Sequence, residues 1–430
     1  MSHISPVDLQ HCIAHLLAAR ERFLVRRLEQ DILTSLDRVT ARFLDPTSTE
    51  RQEAETQLSQ ETGLSSAMVR HILPLIFQEY QSGKLIDLLD DELGAYNRLD
   101  RFEPMLSGNR GAFSFPLIAQ VLAGNIPGAG LDGMIFSLLV KSATLVKAAS
   151  FSLVLPLLFA RALANVDQEL ADCLTVVTWP GGSPTLEEIA FSHADIVIAS
   201  GSDESLTSIR QHVRGRFIGY GHKVSFNVIG KGSLAQSQQL AHDAAYDVAL
   251  YDQQGCLSPQ LIYVEEGGCA SPKEFAILLA QELAYWQQKL PRGTIPPDAS
   301  AAIRRVRNEA EWQALSGKDV SLLASSNGTE WTVIYEADPT FVPSPLYRTI
   351  RVKPLTSLTQ LFSLLTPWRS YLEAVGVATN RENLSAVAGI LGRAGVSRIC
   401  PIGKLQIPPL SWRHGGRPRV ADLVRWVEIE

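Results

Sequence analysis

The first hundred residues place apolar side chains at the spacing of amphipathic helices. In PVDLQHCIAHLLAARERFL (6–24) and SSAMVRHILPLIFQEYQ (65–81) they recur every three or four positions, which predicts helices with one buried face. The charged segment between them, DPTSTERQEAETQ (45–57), is predicted to be an exposed connector that leads into a helix. No chemistry is visible in this part of the chain, so we predict a helical N-terminal region.

Beyond residue 114 the pattern becomes an alternation of strands and helices. FPLIAQVLAG, SATLVKAA, CLTVVTWP and DIVIAS are short apolar strands, and each is followed by a helical pattern, the first over 131–140. Such alternation predicts a parallel sheet with helices on both faces. Ligands bind such sheets at the carboxyl ends of the strands, so GNIPGAG, KAAS, WPGGS and SGSDE are the turns where a site is expected.

The same pattern restarts after VSFNVIG (224–230). Ser233 is a candidate N-cap for a helix that continues to about residue 250 and delivers Cys256 to the next strand. Residues 270–400 again alternate helices and strands, which predicts a second α/β domain with Cys256 near its beginning.

Composition and charge narrow the classes of function. The chain has 430 residues, 46% hydrophobic and 20% charged, with a net charge of −6 and an isoelectric point near 5.9. This is ordinary for a soluble protein of two or three domains, and it argues against a nucleic-acid partner. The N-terminus lacks the pattern of a signal peptide. The nine histidines show no metal-binding spacing, so no metal site is predicted.

The cysteines point to a reducing environment. All five are widely scattered and form no CxxC pair, which favours a cytoplasmic setting over a disulfide framework. The uncharged stretch 111–131 is long enough to cross a membrane. Its two prolines, four glycines, Gln120 and Asn125 favour a strand and a turn instead, so no membrane span is predicted.

Two local motifs each have two readings. GAGLDG (128–133) fits the dinucleotide fingerprint G-x-G-x-x-G, but the next strand ends in LVKAAS, with Lys147 and Ser150 where an acid would hold a ribose. Either the match is accidental or the site accepts a 2′-phosphate. Cys256, in YDQQGCLSPQ, is either a buried inert thiol or a nucleophile that faces a cleft.

Three further features also stay open. Cys173, Cys269 and Cys400 are predicted to be structural. His222, in the Gly-rich GYGHKVSF, is either a plain loop residue or a proton carrier. The C-terminal WRHGGRPRVADLVRWVEIE is either a solvated tail with one amphipathic helix or a surface whose arginines meet the phosphates of a large thioester substrate or an acidic partner protein.

Together these segments resemble the aldehyde dehydrogenase superfamily, and more closely its LuxC-like branch, the acyl-CoA reductases that supply fatty aldehyde in bacterial luminescence. The resemblance covers about residues 110–430 and rests on YDQQGCLSPQLIYVEE, GYGHKVSFNVIG and WRHGGRPRVADLVRW. It implies an α/β fold of the aldehyde-dehydrogenase type. The implied domains are a helical region (1–100) packing on a Rossmann-like NADP-binding domain (101–224), a catalytic domain (225–400), and a C-terminal segment (401–430) that returns to the first domain.

The resemblance also implies roles for individual residues. Cys256 matches the nucleophile that forms an acyl thioester, and Asn125 matches the side-chain donor of the oxyanion hole. Lys147 matches the lysine at the adenosine ribose. Ser150 stands where NAD-preferring relatives often carry glutamate, which favours NADPH. Gly201 and Ser202 match the turn beside the pyrophosphate and nicotinamide. Because the superfamily holds its cofactor differently from a standard Rossmann domain, GAGLDG is then a coincidental match.

One departure from the superfamily separates reduction from oxidation. Aldehyde-oxidising relatives carry a glutamate base where this chain has Gly219. The predicted function is therefore NADPH-dependent reduction of a fatty acyl thioester to an aldehyde, with His222 as the candidate proton carrier. The rival hypotheses are a cysteine-dependent acyltransferase without a redox step and a scaffold for an acyl-activating partner enzyme. The donor, acyl-CoA or an acylated protein, and the chain length stay open, and a homo-oligomer is expected.

Overall fold

The computed structural model describes residues 4–105, 108–122, 124, 126–149 and 152–430. The chain divides into two compact units. The first contains residues up to Thr62, Leu73–His222 and Pro409–Glu430, and the second contains Gly63–Ile72 and Lys223–Pro408. Over the described residues, no helix has the length and hydropathy that a membrane span requires.

The first unit combines N-terminal helices with a parallel sheet. Its helices are α1 (Pro6–Ala19), α2 (Glu29–Leu44), α3 (Thr49–Thr62), α5 (Ser82–Leu93), α6 (Leu131–Leu139), α7 (Val154–Val166), α8 (Gln168–Ala171), α9 (Pro184–Ser192) and α10 (Asp203–His212); α4 (Ser66–Phe77) has its first residues in the second unit. Its strands are β1 (Phe102–Met105), β2 (Gly108–Ser114), β3 (Leu117–Val121), β4 (Ala143–Lys147), β5 (Leu174–Val177), β6 (Ile196–Ser200), β7 (Arg216–Tyr220) and β15 (Val424–Ile429).

The parallel sheet of the first unit has the order β5-β4-β3-β6-β7. Strand order reverses between β3 and β6, since the chain proceeds outward from β3 to β5 and then returns to the other side. A core of apolar residues from α1, α9 and alternate positions of these strands covers one face. Such a reversal leaves a crevice at the carboxyl ends of the two central strands, which is where the predicted cofactor turns lie.

The second unit holds a seven-stranded sheet of order β10-β11-β12-β9-β8-β13-β14, antiparallel only between β10 and β11. The strands are β8 (Val224–Ile229), β9 (Pro259–Glu265), β10 (Val320–Ala324), β11 (Thr332–Glu336), β12 (Thr349–Leu355), β13 (Leu372–Ala378) and β14 (Arg398–Cys400). The helices are α11 (Ser237–Ala249), α12 (Pro272–Lys289), α13 (Pro297–Leu315), α14 (Leu361–Leu365) and α15 (Arg381–Ala394).

Successive residues of β9 pack into cores on opposite faces of this second sheet. Ile262 and Val264 of β9 lie in the core with α11 and α12, whereas Leu261 and Tyr263 lie in the core with α14 and α15. Both faces are therefore covered, as parallel sheets require. A capping box at Ser271 and Glu274 starts α12, which satisfies two backbone donors that the first turn would otherwise leave unpaired.

Two expectations about local structure are wrong. Ser233 does not cap a long helix: it lies inside a 3₁₀ segment, Lys231–Gln236, and α11 begins afterwards without a side-chain cap. The C-terminal tail forms no amphipathic helix. Its last residues form β15, which pairs with β2 in the three-stranded antiparallel sheet β1-β2-β15. Pairing across that sheet, a tertiary contact, decides the conformation of the tail.

Candidate functional site

Cys256 lies in the short connection from α11 to β9, close to the amino end of that strand. A tight turn holds the connection: the Gly255 N–H donates to Ser258 Oγ at 3.1 Å, and the Ser258 N–H donates to the Gly255 carbonyl at 3.0 Å. Buried Ser225 of β8 ties it to the sheet, because its hydroxyl donates to the Cys256 carbonyl at 2.9 Å and accepts the Ala374 N–H at 3.2 Å. The backbone around the thiol is therefore fixed by β8 and β13.

The surroundings of Cys256 keep its thiol protonated at neutral pH. Burial raises the pKa of the thiol to about 12, and the negative charge of Glu373 adds to the increase. The backbone N–H groups of Cys256 and Leu257 act in the opposite direction, since donors favour a thiolate. Attack by the sulfur consequently requires that its proton leaves during the reaction.

Glu373 is a functional candidate that the sequence analysis missed. It lies on β13, is 1% exposed, and accepts a hydrogen bond from the Ser397 hydroxyl at 2.5 Å. Its charge acts on the Cys256 thiol, so it is a candidate acceptor for the thiol proton. The available signal was an acid inside the otherwise apolar strand LEAVGVA, because a buried acid needs a specific reason.

The other cysteines show that a raised pKa alone does not identify the nucleophile. Burial also raises the pKa of Cys173 to about 12 and that of Cys400 to about 11, while Cys269 is exposed in a turn. At Cys256, in addition, the backbone N–H groups of Cys256 and Leu257 favour the thiolate.

The predicted cofactor residues that the structure describes lie at the carboxyl edge of the first unit's sheet. Lys147 ends β4, and Gly201 and Ser202 directly follow β6, with β3 between the two strands. Burial lowers the pKa of the half-buried Lys147. Ser202 caps α10 by accepting the Ser205 N–H at 3.2 Å. A cation and a helix N-terminus at a switch point match the needs of an anionic dinucleotide, so these residues fit such a cofactor.

Glu187 of α9 is a second residue that the sequence analysis missed. It is 5% exposed, accepts the Gly182 N–H at 2.9 Å, and its charge acts on Lys147, where it opposes the effect of burial on the lysine pKa. In the dinucleotide fingerprint an acid follows the second strand, whereas here the carboxylate that acts on Lys147 comes from α9. No local pattern could have indicated it.

Asn125 and Ser150 lie outside the described residues. Their neighbours Gly124, Ile126 and Ser152 line a small pocket within the first unit. Another wall residue, Glu61 of α3, accepts the N–H groups of Leu153 and Val154 at 2.7 and 3.0 Å. The start of α7 is therefore already satisfied by a carboxylate.

Steric requirements explain the glycines of GAGLDG. Gly128 and Gly130 have φ of 84° and 97°, a region that glycine adopts without strain. A Cβ at Gly133 would approach the Gln120 amide to 2.3 Å. Backbone conformation and packing thus account for the three glycines, which favours the interpretation that the match to the dinucleotide fingerprint is accidental.

His222 is exposed in the connection between β7 and β8, and its role as a proton carrier stays a prediction. No group of three or more metal-binding side chains occurs among the described residues.

Comparison with known families decides the assignment. The family model described as Acyl-CoA reductase (LuxC) matches residues 26–426. This chain belongs to the LuxC family of acyl-CoA reductases. The match covers most of the helical N-terminal region, which the sequence resemblance covered poorly.

Individual LuxC relatives are distant but extensive. The long-chain acyl-protein thioester reductase of Vibrio harveyi is 25% identical over 362 residues, which cover 80% of this chain and 71% of the relative. That of Aliivibrio fischeri is 26% identical over 357 residues, covering 80% and 70%. The predicted family, one of aldehyde-forming oxidoreductases, is confirmed.

Solved structures show the fold that this LuxC-family chain shares. The aldehyde dehydrogenase KauB of Pseudomonas aeruginosa superposes with a TM-score of 0.78 at 12% identity, covering 100% of this chain and 90% of that one. A mutant of aldehyde dehydrogenase AldC from Pseudomonas syringae, in complex with NAD⁺ and octanal, gives 0.74 at 13% identity, with the same coverage. The predicted aldehyde-dehydrogenase-like fold is confirmed.

Proposed function

We propose that this protein reduces a fatty acyl thioester to the aldehyde through a covalent acyl group on Cys256. The observation that carries the proposal is that Cys256 lies in a hydrogen-bonded turn just before β9, in a chain of the LuxC family. The V. harveyi and A. fischeri relatives are named as long-chain acyl-protein thioester reductases, which supports an acyl thioester as substrate.

The first step transfers the acyl group to the cysteine. The sulfur of Cys256 bonds to the thioester carbonyl carbon, the bond from that carbon to the donor sulfur breaks, and the proton of the Cys256 thiol is passed on to the donor, which departs as its own thiol. Glu373 is the described carboxylate whose charge reaches the sulfur, so it is the proposed acceptor of the proton. Covalent catalysis of this kind divides one difficult reaction into two easier ones.

The second step releases the aldehyde. A bound nicotinamide cofactor supplies the hydride that reduces the acyl-cysteine carbonyl. The Cys256 sulfur then leaves the carbon and is reprotonated, which regenerates the thiol. The Cys256 N–H and the Asn125 amide are the proposed donors to the developing oxyanion; one such donor contributes about 3–4 kcal/mol.

Position 219 supports reduction over hydrolysis. Gly219 lies on β7, and a Cβ there would approach the Phe217 ring to 2.9 Å. The chain therefore lacks, at this position, the glutamate that activates water in aldehyde-oxidising relatives. Without that base, the acyl-cysteine would persist until it is reduced.

NADPH is the proposed cofactor, held by Lys147, Ser150, Gly201 and Ser202. The absence of an acid after β4 supports NADPH, whereas Glu187 beside Lys147 is a carboxylate of the kind that holds a ribose hydroxyl. Cofactor preference is thus decided by which of these groups meets the ribose.

The remaining features of the proposal concern partners and location. We propose a cytoplasmic homo-oligomer that receives its substrate as acyl-CoA or from an acylated partner protein. Size-exclusion chromatography with light scattering checks the oligomer: a mass of one chain would contradict it.

The decisive experiment traps the acyl group. Purified protein is incubated with radiolabelled long-chain acyl-CoA, and NADPH is then added. We expect label on Cys256, followed by its loss as aldehyde. Cys256→Ala should abolish labelling, whereas Cys400→Ala, which removes another thiol of raised pKa, should not.

Two other outcomes would contradict the proposal. Label that NADPH does not discharge would indicate an acyltransferase. No label on the wild type, with either acyl-CoA or an acylated protein as donor, would indicate a scaffold.

A further inference from the structure

The segment that leads to Cys256 has an unusual backbone. Tyr251, Asp252 and Gln253 have φ of 53°, 51° and 64°, three consecutive non-glycine residues in the left-handed region. Each costs free energy relative to the right-handed region. Glycine would adopt this conformation without strain, so the side chains must have a use that offsets the cost.

A second run of the same kind precedes β12. Leu346, Tyr347 and Arg348 have φ of 67°, 52° and 61°. Among described non-glycine residues, only Asp100 and Lys141 lie in this region outside the two runs. Strain is thus concentrated in two segments of the second unit, one of which ends three residues before Cys256.

A buried ion pair joins the two left-handed segments. Arg348 donates to Asp252 Oδ1 from Nη2 at 2.6 Å and from Nε at 3.0 Å. The two side chains are 0% and 1% exposed. Both carboxylate oxygens of Asp252 accept hydrogen bonds, because Oδ2 accepts the Gly293 N–H at 2.9 Å. A buried pair with its remaining hydrogen bonds satisfied fixes geometry more than it adds stability.

The remaining donors of Arg348 anchor the pair to α12. Its Nη1 donates to Gln287 Oε1 at 2.9 Å, and its Nη2 donates to the Leu290 carbonyl at 2.8 Å. The pair is therefore held against the end of a long helix, rather than between two mobile loops.

Gln253 makes the second connection between the segments. Its amide nitrogen donates to the carbonyls of Pro259 and Thr349 at 2.8 and 2.9 Å, and its oxygen accepts the Thr349 N–H at 2.8 Å. Pro259 begins β9 and Thr349 begins β12. Gln253 thus fixes the segment before Cys256 against β9 and β12, which are neighbours in the sheet.

We propose that Asp252 and Arg348 are positioning residues, whose ion pair holds the two left-handed segments together and thereby sets where the Cys256 sulfur meets an acyl carbonyl. The inference rests on the proposed function. It predicts that the pair controls acyl transfer, which needs a defined angle of approach, but has little effect on the reaction of the thiol with a small alkylating reagent.

The test compares two reactions of one sulfur in the full-length protein. Asp252→Asn and Arg348→Lys are assayed for the rate of acyl transfer from long-chain acyl-CoA and for the rate of alkylation by iodoacetamide. We expect acyl transfer to fall about 100-fold, as for displacements of about 1 Å, and alkylation to change less than about threefold. The matched control is Lys353→Met, which removes the ion pair between buried Lys353 of the same strand, β12, and Glu336 of β11.

Three outcomes would overturn the inference. The first is normal acyl transfer in folded variants, and the second is an equal loss of acyl transfer in Lys353→Met. If the single variants do not fold, the double variant Asp252→Asn/Arg348→Gln replaces them, because it keeps hydrogen bonding without buried charge. The third outcome is that this double variant also fails to fold, which would show a role in folding alone. A wild type that is not acylated would contradict the proposed function instead.

Discussion

At the scale of single residues, the chemistry of Cys256 depends on groups that are distant in sequence. Its thiol pKa is raised first by burial and then by the charge of Glu373. A thiol in this state is a weak nucleophile until its proton moves. The residue that controls the proton therefore controls the reaction.

Replacing Glu373 separates the effect of its charge on the thiol pKa from its proposed role as acceptor of the thiol proton. In Glu373→Gln the thiol pKa should fall, because the negative charge is gone, so alkylation by iodoacetamide should reach its half-maximal rate at a lower pH. Each unit of decrease raises the thiolate fraction about tenfold below the midpoint. Acyl transfer should slow at the same time if the carboxylate accepts the thiol proton. The measurements are the alkylation rate against pH and the rate of acyl-enzyme formation.

A carboxylate elsewhere in the same sheet provides the control for Glu373. Glu336→Gln on β11 should leave the alkylation midpoint of Cys256 unchanged. An unchanged midpoint in Glu373→Gln as well would show that the charge of Glu373 does not act on the thiol.

Glu187 allows a test of cofactor preference. Its carboxylate lies near Lys147, so it would favour a ribose hydroxyl and oppose a 2′-phosphate. In Glu187→Gln we expect kcat/KM for NADPH relative to NADH to rise about tenfold, while labelling of Cys256 stays unchanged. The control is Glu188→Gln, the exposed neighbour on α9. An unaltered ratio would place Glu187 away from the ribose.

At the scale of elements, the end of α11 depends on one buried acid. Asp247 accepts the backbone N–H groups of Gly403 at 2.7 Å and Leu405 at 3.1 Å. Desolvation nevertheless raises its pKa to about 7, against an ordinary value of 3.8. The folded state therefore holds this proton over a pH range in which the unfolded chain has released it.

This difference predicts a pH dependence of stability. Protonated Asp247 stabilises the fold fully below about pH 4, and the contribution is lost as pH rises to about 7. The free energy of unfolding of the wild type should therefore fall, relative to that of Asp247→Asn, between about pH 4 and 7. Above that range the difference between the two free energies should stay constant. Thermal unfolding of both proteins at several pH values measures the dependence, with Glu309→Gln at an exposed position of α13 as the control. A constant difference across the range would show that Asp247 is ionised in the folded protein.

At the scale of the whole molecule, the two proposed functions belong to different units of the chain. Lys147, Gly201 and Ser202 are in the first unit, and Cys256 is in the second. Cofactor binding and acyl transfer should therefore be separable by mutation.

A pair of variants tests this separation. Cys256→Ala should keep the increase in melting temperature that NADPH causes, because a ligand at 100 times its Kd stabilises a protein by about 2.7 kcal/mol. Lys147→Ala should lose that increase and still be acylated on Cys256. Loss of both properties in either variant would contradict the assignment of the two roles to separate residues.

The sequence by itself determined the alternation of strands and helices, the parallel sheets and the segment that contains Cys256. These follow from local periodicity and from a contiguous motif, both of which are visible in a single stretch of chain. The family resemblance through YDQQGCLSPQLIYVEE likewise needed only adjacent residues. Local patterns failed where a partner decides the structure: the C-terminal tail is a strand because β2 pairs with it.

Only the tertiary structure decided which groups surround the functional residues. The carboxylate that acts on Lys147 is Glu187 of α9, and the one that acts on Cys256 is Glu373 of β13. Arg348 pairs with Asp252 across 96 positions of sequence. Burial and charge act through space, and their strength depends on distances that no local pattern specifies. The sequence could therefore single out Cys256 as the candidate nucleophile, whereas the acidity and the orientation of its thiol are properties of the fold.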